Sequence, residues 1–119
     1  MTSNPFFLAY FGKPHSGKTH YLMQFVRTFG RHTIFVYNSG HDKDWRGFIE
    51  IELISDSKTK ELFFVYKGKK FLFERWFMKK FKGKKVKAMM ADEKLTEQLL
   101  YKRLSRKGYD GLFFIIDDA

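Results

Sequence analysis

The sequence contains no cysteine and only two prolines among its 119 residues. Without cysteine, neither a disulfide framework nor a cysteine-based zinc site is available. The four histidines are not spaced like metal ligands, and no apolar run approaches the roughly 18 residues of a membrane-spanning helix. The N-terminal residues show no basic region and no cleavage site, so no secretory signal is expected. These absences predict a cytoplasmic protein, either bacterial or, for a phage-encoded chain, in the host cytoplasm.

Acidic residues are also scarce, because 13 Asp and Glu face 23 Lys and Arg, giving a net charge of +10. The span Lys67 to Lys87, here called the basic segment, has ten basic residues and one acid, and so carries +9 of this charge. Phe71, Trp76 and other aromatics are interleaved with its cations. In a nucleic-acid-binding protein, the lysines of this segment that we expect to contact backbone phosphates are Lys67, Lys69, Lys70, Lys79, Lys80, Lys82, Lys84, Lys85 and Lys87.

Three interpretations of the basic segment remain open. Cations with interleaved aromatics suit a nucleic-acid groove, since lysines neutralise phosphates and aromatic rings stack on unpaired bases. The same pattern suits a solvated surface, or a contact with a neighbouring subunit, whose Phe and Trp side chains face the core. A surface for anionic membranes is the least favoured of the three.

What is abundant in the chain is aromatic and apolar side chains, at 19% and 44%, which excludes general disorder. Apolar runs at Phe6 to Phe11, Thr33 to Tyr37 and Leu112 to Ile116 predict buried parallel strands. Helical spacing follows Lys18 and ends at Gly30. The length predicts a single domain over residues 1–119.

The middle of the chain has a different pattern. Residues 48–74 predict a small antiparallel meander, with strands at 48–54, 61–66 and 70–73. Residues 75–90 are ambiguous, because Phe77 and Phe81 have helical spacing but Gly83 interrupts the pattern. Asp92 is expected to cap a helix that runs to about Lys107. We treat the whole span of about 48–90 as a basic insert.

One motif carries chemistry. The span Gly12 to Thr19 fits G-x-x-x-x-G-K-[ST] at every fixed position, with an apolar strand before it and an amphipathic helix after it. Glycines permit a tight turn and a close approach to phosphate, and the N-terminus of the helix favours anions. The predicted phosphate-binding residues are Gly12, Lys13, Pro14, His15, Ser16, Gly17, Lys18, Thr19 and His20.

A second element lies at the other end of the sequence, where the apolar run Leu112 to Ile116 leads into Asp117 and Asp118. We expect Asp117 and the Thr19 hydroxyl to hold Mg²⁺, while Lys18 contacts the β- and γ-phosphates. Asp118 stands where a general base would activate water, and a solvated second acid is an equal alternative. The predicted cofactors are therefore ATP and Mg²⁺.

These two motifs resemble the P-loop NTPase superfamily, with its Walker A loop and Walker B strand. The acid directly after Asp117 resembles the division that includes the AAA+, RecA-like and FtsK/HerA-like ATPases. Within that division, the Gly12 to Thr19 loop with its short helix and the distal run Tyr109 to Asp118 resemble phage and plasmid DNA-pumping or assembly ATPases, including Zot-like ones. That resemblance implies ATP hydrolysis that powers DNA translocation or phage assembly, and a homo-oligomeric ring of the full-length protein. His15, at a position that is commonly Gly, and Asp118 in place of Glu depart from the pattern.

The rival resemblance is to thymidine-kinase-like nucleoside phosphotransferases, and a non-enzymatic rival is an ATP-gated nucleic-acid-binding module with little turnover. The expected fold is an α/β/α three-layer P-loop core with an incomplete parallel sheet and the inserted meander. In the motor division another strand lies between the Walker A and Walker B strands. Because the sequence stops at Ala119, we expect that strand position to be empty and the chain to be truncated, unless the two strands pair directly as in the kinase-like division.

Overall fold

The computed structural model describes residues 6–11, 32–38, 45, 47–106, 109 and 111–118. In chain order its elements are β1 (Phe6–Phe11), β2 (Thr33–Asn38), β3 (Ile49–Asp56), β4 (Glu61–Tyr66), β5 (Lys69–Leu72), α1 (Phe73–Phe81), β6 (Lys85–Met89), α2 (Lys94–Leu104) and β7 (Leu112–Asp118). The protein is thus of the α/β class. The helix predicted from Lys18 to Gly30 lies outside the described residues.

The strands form one mixed sheet of seven, in the order β1-β7-β2-β6-β3-β4-β5. The first five in this order are parallel, whereas β4 and β5 run antiparallel to their neighbours. We call the end at which the parallel strands finish the carboxyl edge, and the other end the amino edge.

Strands β1 and β7 are direct neighbours, with Phe6 opposite Phe113 and Phe11 opposite Asp118. The expectation of an empty strand position between them is therefore wrong, and the direct pairing kept as its alternative is what the structure has. Strand β7 also pairs with β2 on its other side, so it is an interior strand of the sheet. Its Phe113 to Ile116 segment is accordingly not an exposed edge.

The predicted meander is confirmed, and it is continuous with the parallel sheet. Strand β3 uses Ile49 to Ile51 to pair with β6 and Glu52 to Asp56 to pair with β4. Strands β4 and β5 are joined by Lys67 and Gly68, with φ of 51° and 77°. Positive φ at both central residues is the requirement of a type I′ hairpin turn.

The ambiguous stretch after the meander is a helix followed by a strand. Phe73, Phe77 and Phe81 lie on one side of α1 and are all buried. Phe73 was expected to end a strand, but its spacing of four from Phe77 continues the helical pattern. Strand β6 then inserts between β2 and β3, with Val86 and Ala88 buried in the sheet.

The helix expected from Asp92 to Lys107 is shorter than predicted. It spans Lys94–Leu104, and its N-cap is Glu93, which makes no side-chain capping hydrogen bond. The Asp92 cap was therefore wrong. The apolar face was placed correctly, because Leu99 and Leu104 are buried and Leu95 packs against the core.

The main core lies on one face of the sheet, where α1 and α2 pack, and we call this the helix face. Alternate residues of β2 illustrate the division, because Phe35 and Tyr37 join this core while Ile34 and Val36 are buried on the opposite face. Trp45 and Phe48 complete the cluster on the opposite face. Neither described helix has the length and apolar character needed to cross a membrane.

Candidate functional site at the carboxyl edge

Three strand ends meet at the carboxyl edge of the sheet. Asp117 of β7 lies opposite Tyr10 of β1 on one side and opposite Asn38 of β2 on the other. Strand β1 ends at Phe11, immediately before Gly12, so the glycine-rich motif starts beside the acidic end of β7. Ligands of open α/β sheets bind outside the carboxyl ends of the strands, which makes this edge the candidate site.

The Asp117 side chain is fully buried at this edge and is held by an indole. Trp45 Nε1 donates a hydrogen bond of 2.7 Å to Asp117 Oδ2. A buried carboxylate must be hydrogen-bonded or must coordinate a cation, because burial of an uncompensated charge is costly. The Trp45 bond supplies one such partner and fixes the orientation of the carboxylate.

Trp45 is itself fully buried and packs edge-on against Phe48, with 5.3 Å between the ring centroids. Both rings belong to the cluster that includes Ile34, Val36 and Ile115. The indole that orients Asp117 is therefore packed among buried apolar side chains. Such packing holds the indole in place, as a positioning group requires.

The loop between β6 and α2 is fastened to the same edge. Met90 N donates to the Asn38 carbonyl oxygen at 2.6 Å, and Ala91 N donates to Tyr37 Oη at 2.9 Å. Burial raises the pKa of Tyr37 to about 12; the Ala91 N–H bond acts against this rise, and the Glu97 charge adds to it. At neutral pH, Tyr37 is therefore an uncharged acceptor that holds this loop next to the end of β2.

Of the predicted phosphate and magnesium residues, the structure describes the side chain of Asp117 alone. Residues 12–20, which hold the glycine-rich motif, lie outside the described residues, and Asp118 is described only as the last backbone position of β7, opposite Phe11. The sequence from Asn38 to Gly47 also predicts a polar turn, and its residues 41–44 lie outside the described residues as well. The structure therefore places the strand that precedes the motif and the carboxylate that we assigned to Mg²⁺.

The described residues fit a magnesium site that relies on the nucleotide for further ligands. Within the described ranges, no group of three or more His, Cys, Asp or Glu side chains is arranged around a common cation position. Mg²⁺ in nucleotide sites is bound through one or two carboxylates, phosphate oxygens and water. A single buried carboxylate at the end of β7 matches that donor set.

The basic segment contributes some side chains to the core and others to the surface. Phe73, Phe77 and Phe81 belong to the core, as the solvated-surface interpretation expected, whereas Trp76 is 38% exposed. The predicted lysines are distributed over the β4–β5 turn, β5, α1, the α1–β6 loop and β6, at Lys67, Lys69, Lys70, Lys79, Lys80, Lys82, Lys84, Lys85 and Lys87. None of them lies at the carboxyl end of β1 or β7.

Two residues of this edge escaped the sequence analysis, Trp45 and Asn38. The segment around Trp45 looked like a polar turn, and no local pattern links it to a carboxylate 72 positions away. Asn38 ends an apolar strand and could have been singled out by that position alone.

Comparison of the chain with protein-family models, with curated proteins and with solved structures finds no match.

Proposed function

We propose that the chain binds ATP, or another nucleoside triphosphate, together with Mg²⁺ at the carboxyl edge of the sheet and hydrolyses it. The observation that carries this proposal is the pairing of β1 with β7, which sets Asp117 beside the strand that leads into Gly12 to Thr19. A phosphate loop and a magnesium carboxylate must converge on one ligand, and neighbouring parallel strands bring them together.

Each residue has a distinct role in this proposal. The backbone N–H groups of the loop would surround the phosphates, and Lys18 would stabilise negative charge that develops during phosphoryl transfer. Thr19 and Asp117 would hold Mg²⁺, with Trp45 orienting the carboxylate. When bound, Mg²⁺ would neutralise part of the phosphate charge. Asp118 would accept a proton from the attacking water.

The P-loop core, with helices on both faces of the sheet, is part of the same proposal. The buried side chains Ile34, Val36 and Ile115 on the face opposite α1 and α2 support it, since that face is also shielded from water. Sheets buried on both faces are typical of α/β proteins with helices in two layers.

Phosphoryl transfer to a small acceptor is the second candidate function. Direct pairing of β1 with β7 is the arrangement that the resemblance gives for the kinase-like division, whereas the DNA-pumping division has a strand between them. The strand order therefore favours a nucleoside phosphotransferase over a ring-forming motor for DNA translocation. An ATP-gated binding module with little turnover remains the alternative if nucleotide binds but is not consumed.

Nucleotide binding tests the proposal directly. A fluorescent ATP analogue is titrated with and without Mg²⁺ into wild type, Lys18→Ala and Asp117→Asn. We expect Lys18→Ala to abolish binding under both conditions. We expect Asp117→Asn to remove only the Mg²⁺-dependent gain, because an amide oxygen still accepts the Trp45 bond but lacks the charge. Unchanged binding in Lys18→Ala would overturn the proposal.

Matched controls separate these effects from general damage. Lys58→Ala changes an exposed lysine in the β3–β4 turn, and Asp56→Asn changes a carboxylate that accepts turn hydrogen bonds. Both should bind nucleotide as wild type does. ADP release is then measured alone, with DNA and with thymidine. Stimulation by DNA indicates a motor, dependence on thymidine indicates a kinase, and tight binding without ADP release indicates a switch.

A further inference from the structure

The outer side of α1 and strand β5 form a surface on which cations surround two aromatic rings. We call it the basic-aromatic surface and define it by Phe71, Arg75, Trp76, Lys79 and Lys80. Trp76 is 38% exposed and Phe71 is half-buried. Trp76 and Met89 are the large apolar side chains exposed within the described part of the chain, and Trp76 is the one that has cations against its ring.

The contacts on this surface hold the cations close to the rings. Lys80 Nζ lies 4.3 Å from the Phe71 ring centroid and 5.8 Å from that of Trp76. Lys79 Nζ is 5.5 Å from the Trp76 centroid, and the two ring centroids are 6.3 Å apart. Aromatic rings and ammonium groups are therefore presented together, which is the combination that stacks bases and neutralises phosphates.

The one acid of the basic segment does not neutralise these cations. Glu74 Oε2 is engaged by Arg103 Nε at 3.3 Å and by Arg106 Nη1 at 3.6 Å, both from the end of α2 and the residues after it. Among the described residues, no salt bridge involves any of the nine lysines of the segment. Within the described part of the chain, the lysines of the surface are therefore not paired with carboxylates, and their charge is complementary to a polyanion.

The surface is remote from the carboxyl-edge site. Strands β1 and β5 are at opposite sides of the sheet, and six strand spacings correspond to about 29 Å. Lys67 and Lys84 extend the positive charge towards the amino edge, because the β4–β5 turn and the α1–β6 loop both lie there. The phosphate contacts of a nucleotide at the carboxyl edge therefore do not account for these lysines.

We propose that the basic-aromatic surface binds single-stranded nucleic acid, with Trp76 and Phe71 stacking on bases and with Lys79, Lys80 and Arg75 contacting phosphates. Lysines on an edge strand also deter sheet-to-sheet association, which accounts for Lys69 and Lys70 on β5 but not for an exposed Trp on a helix. A duplex offers no unpaired base to Trp76. Helices that lie in a membrane surface bury an apolar face, whereas Trp76 is the one large apolar side chain that the described residues of α1 expose.

Fluorescence anisotropy with the full chain tests the proposal. The probe is labelled oligothymidylate of about 20 nucleotides, longer than a typical site of about 4–16 nucleotides. Oligouridylate, a duplex of equal length and vesicles containing phosphatidylserine are compared with it. Titrations run from about 50 to 200 mM salt, the range over which phosphate contacts lose affinity steeply.

The variants separate stacking from charge. Trp76→Ala should weaken oligothymidylate binding about tenfold with an unchanged salt slope, and Trp76→Phe should restore much of it. Lys79→Gln with Lys80→Gln should reduce the salt slope by about 1.4, since each single-strand phosphate contact contributes about 0.7. The matched control, Lys58→Gln with Lys94→Gln, removes the same charge from exposed positions off the surface and should bind as wild type does.

Several results would overturn the proposal: equal binding by Trp76→Ala and wild type, binding of the duplex at least as tight as that of the single strand, preferential binding of the vesicles, or an equal loss in the control pair. Circular dichroism confirms that each variant is folded. The proposal does not rest on nucleotide hydrolysis, so Lys18→Ala should still bind oligothymidylate. Loss of nucleotide binding alone would leave this surface intact.

Discussion

Trp45 donates its indole N–H to the Asp117 carboxylate across 2.7 Å, and 72 positions separate the two residues in the sequence. Both side chains are fully buried. The bond ties the residues that precede β3 to the end of β7, and it sets the orientation of the carboxylate assigned to Mg²⁺. The chain between β2 and β3 thereby affects the candidate site without supplying a predicted ligand.

Replacing Trp45 by Phe should therefore impair both stability and magnesium-dependent binding. Phe retains contact with Phe48 but removes the N–H donor from a buried carboxylate. Hydrogen bonds to charged groups contribute about 1.5–3 kcal/mol, and we expect the free energy of unfolding to fall by about that amount. Urea denaturation measures the stability, and ATP titration with and without Mg²⁺ measures binding.

The matched control is Trp76→Phe, which makes the same chemical change at an exposed position. It should alter the free energy of unfolding by no more than about 0.5 kcal/mol. Equal stability of Trp45→Phe and Trp76→Phe would contradict the role given to the indole of Trp45.

Trp45 also shows why the site could be predicted only in part. Asp117 was predicted from its place after the apolar run Leu112 to Ile116, because five consecutive apolar residues indicate a largely buried strand. The Trp45 contact depends on how two distant segments pack together, and the periodicity of apolar residues does not predict such packing. The direct pairing of β1 with β7 is likewise a property of strand order, for which the sequence left two alternatives open.

Removing the hydroxyls of two buried tyrosines should have different effects on the free energy of unfolding. Tyr37 Oη accepts the Ala91 N–H bond, whereas Tyr109 Oη is the one buried side-chain polar atom without a hydrogen-bond partner in the described part of the chain. We expect Tyr37→Phe to lower the free energy of unfolding by about 1 kcal/mol and Tyr109→Phe to leave it unchanged or raise it. Urea denaturation at neutral pH distinguishes them, and equal losses would contradict the prediction.

The same tyrosines predict a loss of stability in alkali. Burial is the main cause that raises the pKa of each to about 12; the Glu97 charge adds to the rise at Tyr37, and the Glu74 charge adds to it at Tyr109. In the unfolded chain both ionise near pH 10, so their contribution is complete below about pH 10 and is lost as the pH rises towards 12. At pH 11 the loss is about 1.4 kcal/mol per tyrosine.

Unfolding of wild type and of the double variant Tyr37→Phe with Tyr109→Phe, measured from pH 9 to 11, checks this prediction. Lysines titrate in both proteins, so the difference between the two curves isolates the tyrosines. We expect the wild type to lose more stability over this interval than the variant. Parallel curves would show that the two hydroxyls ionise alike in the folded and unfolded chains.

The middle of the fold illustrates a different limit of sequence reasoning. The meander was predicted because Glu50 and Glu52 alternate with apolar residues, as a strand with one wet face requires. Strand β6 has the same alternation, because half-buried Lys85 and Lys87 alternate with buried Val86 and Ala88. The strand was not predicted, because the helical spacing of Phe77 and Phe81 and its interruption at Gly83 left the whole stretch 75–90 ambiguous.

The β4–β5 turn offers a way to stabilise the protein by one substitution. Lys67 has a φ of 51° and precedes Gly68 at 77°, so the turn places a lysine where an L-residue with a Cβ is strained. Asn tolerates this conformation far better, and Asn-Gly is the preferred type I′ pair. Lys67→Asn should therefore raise the free energy of unfolding by about 0.5–1 kcal/mol.

The control for this turn is Lys67→Gln, which removes the same charge without the preference of Asn for positive φ. Its free energy of unfolding should stay within about 0.5 kcal/mol of wild type. A gain in both variants would assign the effect to relief of repulsion among the cations of the basic segment. A gain in Lys67→Asn alone assigns it to backbone conformation, because the two variants have equal net charge and differ in how readily their backbones adopt a positive φ.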